Sequence, residues 1–503
     1  MRLKFILILL LIAGHSPIHA QYPPGVQTAL KMAGANKEQL MKALDHFYKT
    51  GDSVKIRSIN FLLTYMPLHS SQSYYWADGA GKRIPFNELN YSTFNEVVDA
   101  INALKNKFNG LHPVACSYRD LDSIHADYLI ENIELACEKW KSREVVSASD
   151  QAFTDFLEYT LPYRVSVEPL QRWRALYADR FNDVFNDKLP VDSQVYQLKQ
   201  AVNKTIKNTW GTEGRNEPLP RLGALQILLR GKGLCEDLAD MAVFTARSQG
   251  IPATVDNIPY WGTTSGSHFL NLLKITPADA HFDAVLDSLE REPSKVLRTT
   301  YSSQQDAIAN WLDTSLIPPG FMRIRNYKDV TPEYWPTDSV TCKLFNNNGV
   351  EIKVAYLAVF NGFNWQPVWY GKISNNKATF HKMSKGVVYL PMYYANNHLA
   401  PAGWPYALGY NNKLALQPDT LHTRSITLRE QQKYLKYHPG KRYRLFYWNN
   451  SWQLLGEKTA APGAEQLTFD KVPANCLLIM IPEYSQGKER PFIITAKGER
   501  IWW

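Results

Sequence analysis

Several chemistries are missing from this chain. There is no Cys-x-x-Cys and no His-Glu-x-x-His, so no metal-ligand spacing can be read, and no cofactor is expected. No glycine-rich phosphate loop follows a strand; "RGKG" at 230–233 lacks the spacing, and its lysine is not beside Ser or Thr. The net charge of +9 is modest for 503 residues and no block of like charges stands out, which argues against a nucleic-acid partner. Beyond the first twenty residues no apolar run is long enough for a membrane helix. Cysteine is scarce, with five residues at 116, 137, 235, 342 and 476, and the odd count leaves at least one thiol unpaired. Cys116 and Cys137 flank a helical region and could pair; Cys342 and Cys476 lie in strand-like segments and could as easily be buried singly.

What is present begins with a targeting pattern. Arg2 and Lys4 precede an apolar run from Phe5 to Ala13, and Ile18-His19-Ala20 resembles a small-residue cleavage site that would leave Gln21 first. No cysteine follows it, which argues against a lipid anchor. An exported protein is expected, whether periplasmic, cell-surface or secreted, with residues 1–20 as signal peptide.

The length calls for several domains. Residues 21–204 read as helical, with apolar residues three and four apart in "KEQLMKALDHFYK" and "DSIHADYLIENIELACEKWKS". Residues 205–300 mix one helix with short alternating runs, and 301–337 read as a linker. After Thr331 the pattern is β, with aromatic runs split by "NNNG", "SNNK" and "WNNS". "AYLAVFNGFNWQPVWYGK" (355–372) parallels "YRLFYWNNSWQLLGEK" (443–458), and "TFHKM" (379–383) parallels "TFDKV" (468–472). Two related β-sandwich modules, 338–424 and 425–503, are therefore expected. Trp365, Trp369, Trp448 and Trp452 could contact carbohydrate or peptide, but sandwich core is the preferred reading for them.

The chemistry is read from "LLRGKGLCEDLADMAVFTARSQGIPA" (228–253). Leu238, Met241, Ala242, Thr245 and Ala246 mark one face of a helix that stops at Gly250 and Pro252. Gly231 and Gly233 lead into it, so Cys235 falls at the helix start. There the free N–H groups and the positive dipole end favour a thiolate and could hold an oxyanion. In "TTSGSHFLNLLKI" (263–275) a turn leads into a strand that opens with His268, an imidazole partner for the thiol. Strand alternation sends Asn271 to the opposite face. "HFDAVLD" (281–287) reads as the next strand, and a hairpin centred near Ile275–Thr276 would bring Asp283 opposite His268.

This order of motifs resembles the transglutaminase-like superfamily, a branch of the papain-like cysteine enzymes. The matching positions are Gly233, Cys235, Asp237, Arg247, Gly250, Ile251, Pro252, His268 and Asp283. The family usually has Trp two residues after the histidine; Leu270 stands here, while Asn271 matches a common variant of the motif. The wider layout, with "DFLEYTLPYRVSVEPLQRWR" (155–174), "KVLRTTY" (295–301) and a "RPF…WW" ending, is similar to exported members with C-terminal β modules.

The resemblance implies an α+β multi-domain protein: a helical N-terminal region, a transglutaminase-like core and two C-terminal β-sandwich modules. It implies Cys235 as nucleophile, His268 as general base and acid, and Asp283 as the group orienting the imidazole. Trp210, Tyr163, Arg164, Trp173 and Asn271 are further candidates for the substrate or oxyanion side. The expected chemistry is acyl transfer from an amide of a peptide, protein or glycopeptide through a thioester, with water as acceptor. The rival readings are transfer to an amine, which would cross-link proteins, and a silent scaffold that binds glycan or peptide.

Overall fold

The computed structural model describes residues 22–143, 149–209, 219–275, 278–286, 288–346, 352–431, 434–495 and 497–503. The signal-peptide reading and Trp210 fall outside these residues. The architecture is α+β and multi-domain, with a β-rich C-terminal region. Among the described residues no helix is long and apolar enough to cross a membrane.

The N-terminal part packs the helices Pro24–Met32, Lys37–Thr50, Ser53–Tyr65 and Ala126–Lys141 around Leu40, Phe47, Leu62, Leu129 and Ile133. Asp52 starts the third of them by accepting from the Val54 and Lys55 N–H groups, the usual remedy for unpaired donors at a helix start. A small antiparallel sheet pairs Ser70–Ala77 with His112–Arg119 along its whole length.

The central part is built on the helix Cys235–Ser248, the cysteine helix. Twelve of its fourteen residues are buried, so it needs neighbours on every side. It has them: the helices Arg174–Arg180 and Val191–Thr205 on one flank and a five-stranded sheet on the other. The sheet runs in the order Tyr327–Asp329, Leu297–Thr299, Ala253–Ile258, His268–Ile275, Ala278–Phe282, all antiparallel. Packing therefore crosses the expected break at 204/205, because Trp173, Tyr177, Leu198 and Val202 share the cysteine helix's core. It also crosses the expected linker, since Tyr327–Asp329 completes the sheet.

The C-terminal half uses one layout twice. Thr337–Lys343 pairs with Lys377–Ser384, and Val354–Asn361 pairs with both Asn364–Ser374 and Val387–Ala395. In the second copy Asp419–Arg429 pairs with Gln466–Ala474, and Arg442–Trp448 pairs with both Trp452–Thr459 and Leu478–Pro482. Details recur with the layout. Each hairpin shifts register once, at Leu357/Ala358 and at Leu445/Phe446. Each places a tryptophan opposite the aromatic near the end of its first strand, Trp365 facing Phe360 and Trp452 facing Trp448. A threonine pair bridges the outer strands at 3.0 Å in both, Thr341–Thr379 and Thr427–Thr468. Lys382 and Lys471 hold the same left-handed backbone, φ 54° and 57°. Trp448 packs with Ala358, Leu390 and Trp503 where the copies meet, with Trp365 and Trp452 half-buried against that cluster. Trp369 is buried in the first copy's own core. These rings are used in packing.

Candidate active site

The start of the cysteine helix is fixed by small local devices. Gly231 ends the helix Ala224–Arg230 in the left-handed region, at φ 59°. Gly233 has no room for a Cβ, which would meet the Asp237 side chain at 2.7 Å. Asp237 accepts from the Leu234 N–H at 2.8 Å and the Leu222 N–H at 3.1 Å, tying the first turn to the preceding loop. Leu234 is the N-cap, so Cys235 is the first helical residue. Gly250, at φ 76° with the Lys139 carbonyl pressed against it, closes the far end.

The strand His268–Ile275 runs in the same direction as this helix. Asn271 Nδ2 donates to the Ala239 carbonyl at 2.9 Å, and at the far end the Arg247 Nε donates to the Ala253 carbonyl at 3.0 Å. Cys235 and His268 thus open their elements at the same end. Odd-numbered side chains, Phe269, Asn271 and Leu273, face the helix, whereas Leu270 packs on the other face with Ile258, Trp261 and Val296.

His268 lies in that even-numbered set and is 4 % exposed. Its Nε2 is 2.5 Å from Asp283 Oδ2. An ionised carboxylate can only accept, so in this contact Nε2 is the donor. Asp283 is itself fixed, since Oδ1 accepts from the Val285 and Leu286 N–H groups at 2.7 and 2.9 Å. The Trp261 ring stacks on the imidazole at 5.7 Å. The loop that leads to His268 is clamped from the β-rich region. Asn361 donates to the carbonyls of Trp261, Thr264 and Gly266 at 2.9–3.2 Å and accepts from the Gly266 N–H at 3.0 Å. Arg490 donates to the Gly262 carbonyl at 2.8 Å and also to the Phe360 carbonyl.

The expected hydrogen bond between Cys235 and His268 is not made among the described residues. The Cys235 thiol instead donates to Glu236 Oε2 at 3.4 Å. Burial pushes the thiol up to about 12, and the Glu236 carboxylate adds to this by charge and by hydrogen bond. Arg221 and the Glu236 backbone N–H oppose the rise without reversing it. In this arrangement the group at the helix start is a thiol.

The other expected site residues take structural places. Arg164 and Tyr163 are 2 % and 1 % exposed. Arg164 forms a two-pronged pair with Asp120, both contacts at 2.6 Å, and Tyr163 donates to the same carboxylate at 3.0 Å. Trp173 donates to the Tyr163 carbonyl and packs on Phe244. Asn271 is tied to the cysteine helix, as described. All five cysteines are free thiols, so Cys116 and Cys137 do not pair. Among the described residues no group of three or more His, Cys, Asp or Glu could hold a metal.

Three residues at the site carry no signal in the local pattern. Glu236 follows the nucleophile candidate on an ordinary amphipathic helix. Asn361 acts across 95 residues of chain. Arg221 sits in a loop, with its guanidinium 4.3 Å over the Phe269 ring and 3.4 Å from Asp240.

Residues 179–282 match the model of the transglutaminase-like superfamily. The match takes in Cys235 and His268 and stops one residue before Asp283. It also begins within the stretch read from sequence as helical, in agreement with the packing of Val191–Thr205 on the cysteine helix. No curated protein matches the chain.

Proposed function

We propose that the protein is an exported cysteine-dependent enzyme that cleaves amide bonds of peptides or glycopeptides through an acyl-thioester on Cys235. The observation that carries this reading is the His268–Asp283 contact at 2.5 Å, downstream of a cysteine that opens a buried helix within the matched segment. With Nε2 held by the carboxylate, the free base position is Nδ1, and no hydrogen bond occupies it among the described residues.

In the reaction the Cys235 proton passes to His268 Nδ1 as sulfur attacks the carbonyl carbon. The N–H groups at the helix start stabilise the oxygen that becomes negative. The C–N bond breaks, and the amine leaves with the proton from His268. A water then gives its proton to His268, adds to the thioester, and the C–S bond breaks to return the thiol and release the acid. Before the first step the thiol must leave Glu236 and come to the imidazole, so substrate binding is assigned that rearrangement.

Water is favoured over an amine as acceptor because the Gly/Ser/Thr turn at 262–267 borders the histidine with an accessible rim. The catalytically silent scaffold is the second reading. It is favoured by one observation, the hydrogen bond that the Cys235 thiol makes to Glu236 and not to His268.

The deciding experiment offers amide substrates from a peptide library together with excess primary-amine probe and follows the acyl group on Cys235 by mass spectrometry. Release of free acid, abolished in Cys235→Ala and His268→Ala, is the expected result. Stoichiometric amine incorporation would replace hydrolysis by cross-linking. Absence of any acyl-enzyme across the library would leave the scaffold.

A further inference from the structure

A cavity of about 570 Å³ lies against the helix-facing side of the central sheet. Its floor includes Phe269, the residue after His268, with Asn257 and Leu297 beside it on neighbouring strands. Its size is in the range that takes a small molecule or a few residues of peptide.

The charge of its lining is one-sided. Arg221, Arg323 and Arg325 line it, and among the described residues no Asp or Glu does. His69, also in the wall, adds no negative charge; burial holds its imidazole down to about 3, so it is neutral. The three arginines are poorly neutralised by the fold. Among the described residues Arg323 donates only to the neutral Ile317 carbonyl and Tyr394 hydroxyl. The Arg325 side chain has no carboxylate partner among the described residues, and it is exposed at the rim. Arg221 is buried, and its Nη1 makes no hydrogen bond. Among the described residues its counter-charge is Asp240 at 3.4 Å, whose own carboxyl is pushed well up by burial in spite of the arginine. Asn257 Oδ1 is likewise buried and unbonded.

Guanidinium groups around a polar-and-apolar pocket suit carboxylates, which they meet two-pronged. The wall is also connected to the reacting end of the helix, since Arg221 is close enough for its charge to act on the Cys235 thiol.

We infer that this cavity is the substrate-recognition pocket and that it takes an acidic peptide segment, its carboxylates on Arg221, Arg323 and Arg325 and its aliphatic parts on Phe269 and Leu297. The inference rests on the catalytic reading for the word substrate, but its test reads binding alone. The Cys235→Ala protein is titrated calorimetrically with tetraglutamate as free acid and as C-terminal amide, with tetraglutamine in the same two forms, and with sodium sulfate.

Tetraglutamate amide should bind at least about tenfold tighter than tetraglutamine amide if side-chain carboxylates are read. Tetraglutamine acid over its amide by a similar factor would assign the contact to a terminal carboxylate and also supports the pocket. Arg325→Gln, which removes no contact within the fold, and Arg323→Gln should each reduce the preference several-fold. Raising the salt should weaken it too. Binding of sulfate without either peptide acid, equal binding of all four peptides, or a preference unchanged in both arginine variants would overturn the inference. Any of these would leave the acyl-enzyme experiment on Cys235 to stand or fall separately.

Discussion

The state of the Cys235 thiol gives a quantitative test. An ordinary cysteine has a value of 9.0, and the half-buried thiol beside Glu236 is pushed up to about 12. At pH 8 an ordinary thiol is about one-tenth thiolate and this one about one in ten thousand, a deficit of about a thousandfold. A more basic thiolate is also a better nucleophile, by roughly twentyfold over three pKa units at a Brønsted slope of 0.4–0.5. Iodoacetamide should therefore alkylate Cys235 in the substrate-free protein about fiftyfold more slowly than it alkylates free glutathione. The assay is site-resolved mass spectrometry of timed quenches. Glu236→Gln removes the charge that adds to burial and should speed the reaction by about tenfold, with burial still holding it below glutathione. The sign carries over to stability. A thiol whose pKa is raised by folding stays protonated between about 9 and about 12 while an unfolded one ionises, so its contribution is lost as pH rises through that window. The difference in melting temperature between the parent and Cys235→Ala should narrow there. Labelling as fast as glutathione at pH 7, or no response to Glu236→Gln, would refute the reasoning.

Asp283→Asn keeps an oxygen able to accept from the Val285 and Leu286 N–H groups, so the fold should survive while turnover falls by at least tenfold; unchanged kcat would remove Asp283 from the chemistry. Asn361→Ala removes four hydrogen bonds to the histidine loop, a loss of about 2–4 kcal/mol after water re-enters, and hydrogen exchange over 261–266 should accelerate while the β cores stay protected. Asp120→Ala strands Arg164 in a site where it is 2 % exposed and should cost about 3–5 kcal/mol in urea unfolding, whereas an exposed pair such as Arg119–Asp122 should cost under about 1 kcal/mol.

The cysteine helix was legible because its signals are local: glycines before it, a three-and-four spacing within it, Gly250 after it. The strand beginning at His268 was legible for the same reason. The hairpin pairs Ile275 with Ala278 and Asn271 with Phe282, so its centre falls one residue later than expected and Asp283, just past the strand, reaches His268 diagonally through its side chain and not from the position opposite. The second half was legible as a repeat because aromatic, turn and lysine signals recur in order. The orientation of the thiol was not legible, since the choice between Glu236 and His268 depends on how the helix lies across the sheet. Nor were Arg221 and Asn361, whose roles come from tertiary contacts. Tyr163, Arg164 and Trp173 looked available for a cleft because an aromatic and basic stretch reads the same whether it faces water or a buried carboxylate. Asp120, which decides it, lies 44 residues from Arg164.

The clamp on the histidine loop has a consequence in time. A ribosome delivers the chain from its N-terminus, and domains fold as they emerge. Cys235, His268 and Asp283 are all made before Asn361, which fastens the loop 95 residues later, and before Arg490, which reaches Gly262 across 228 residues. A nascent or prematurely ended chain would carry the candidate catalytic residues with the loop unfastened. The C-terminal repeats would then act as a completion check, withholding a finished site until the last strands are in place.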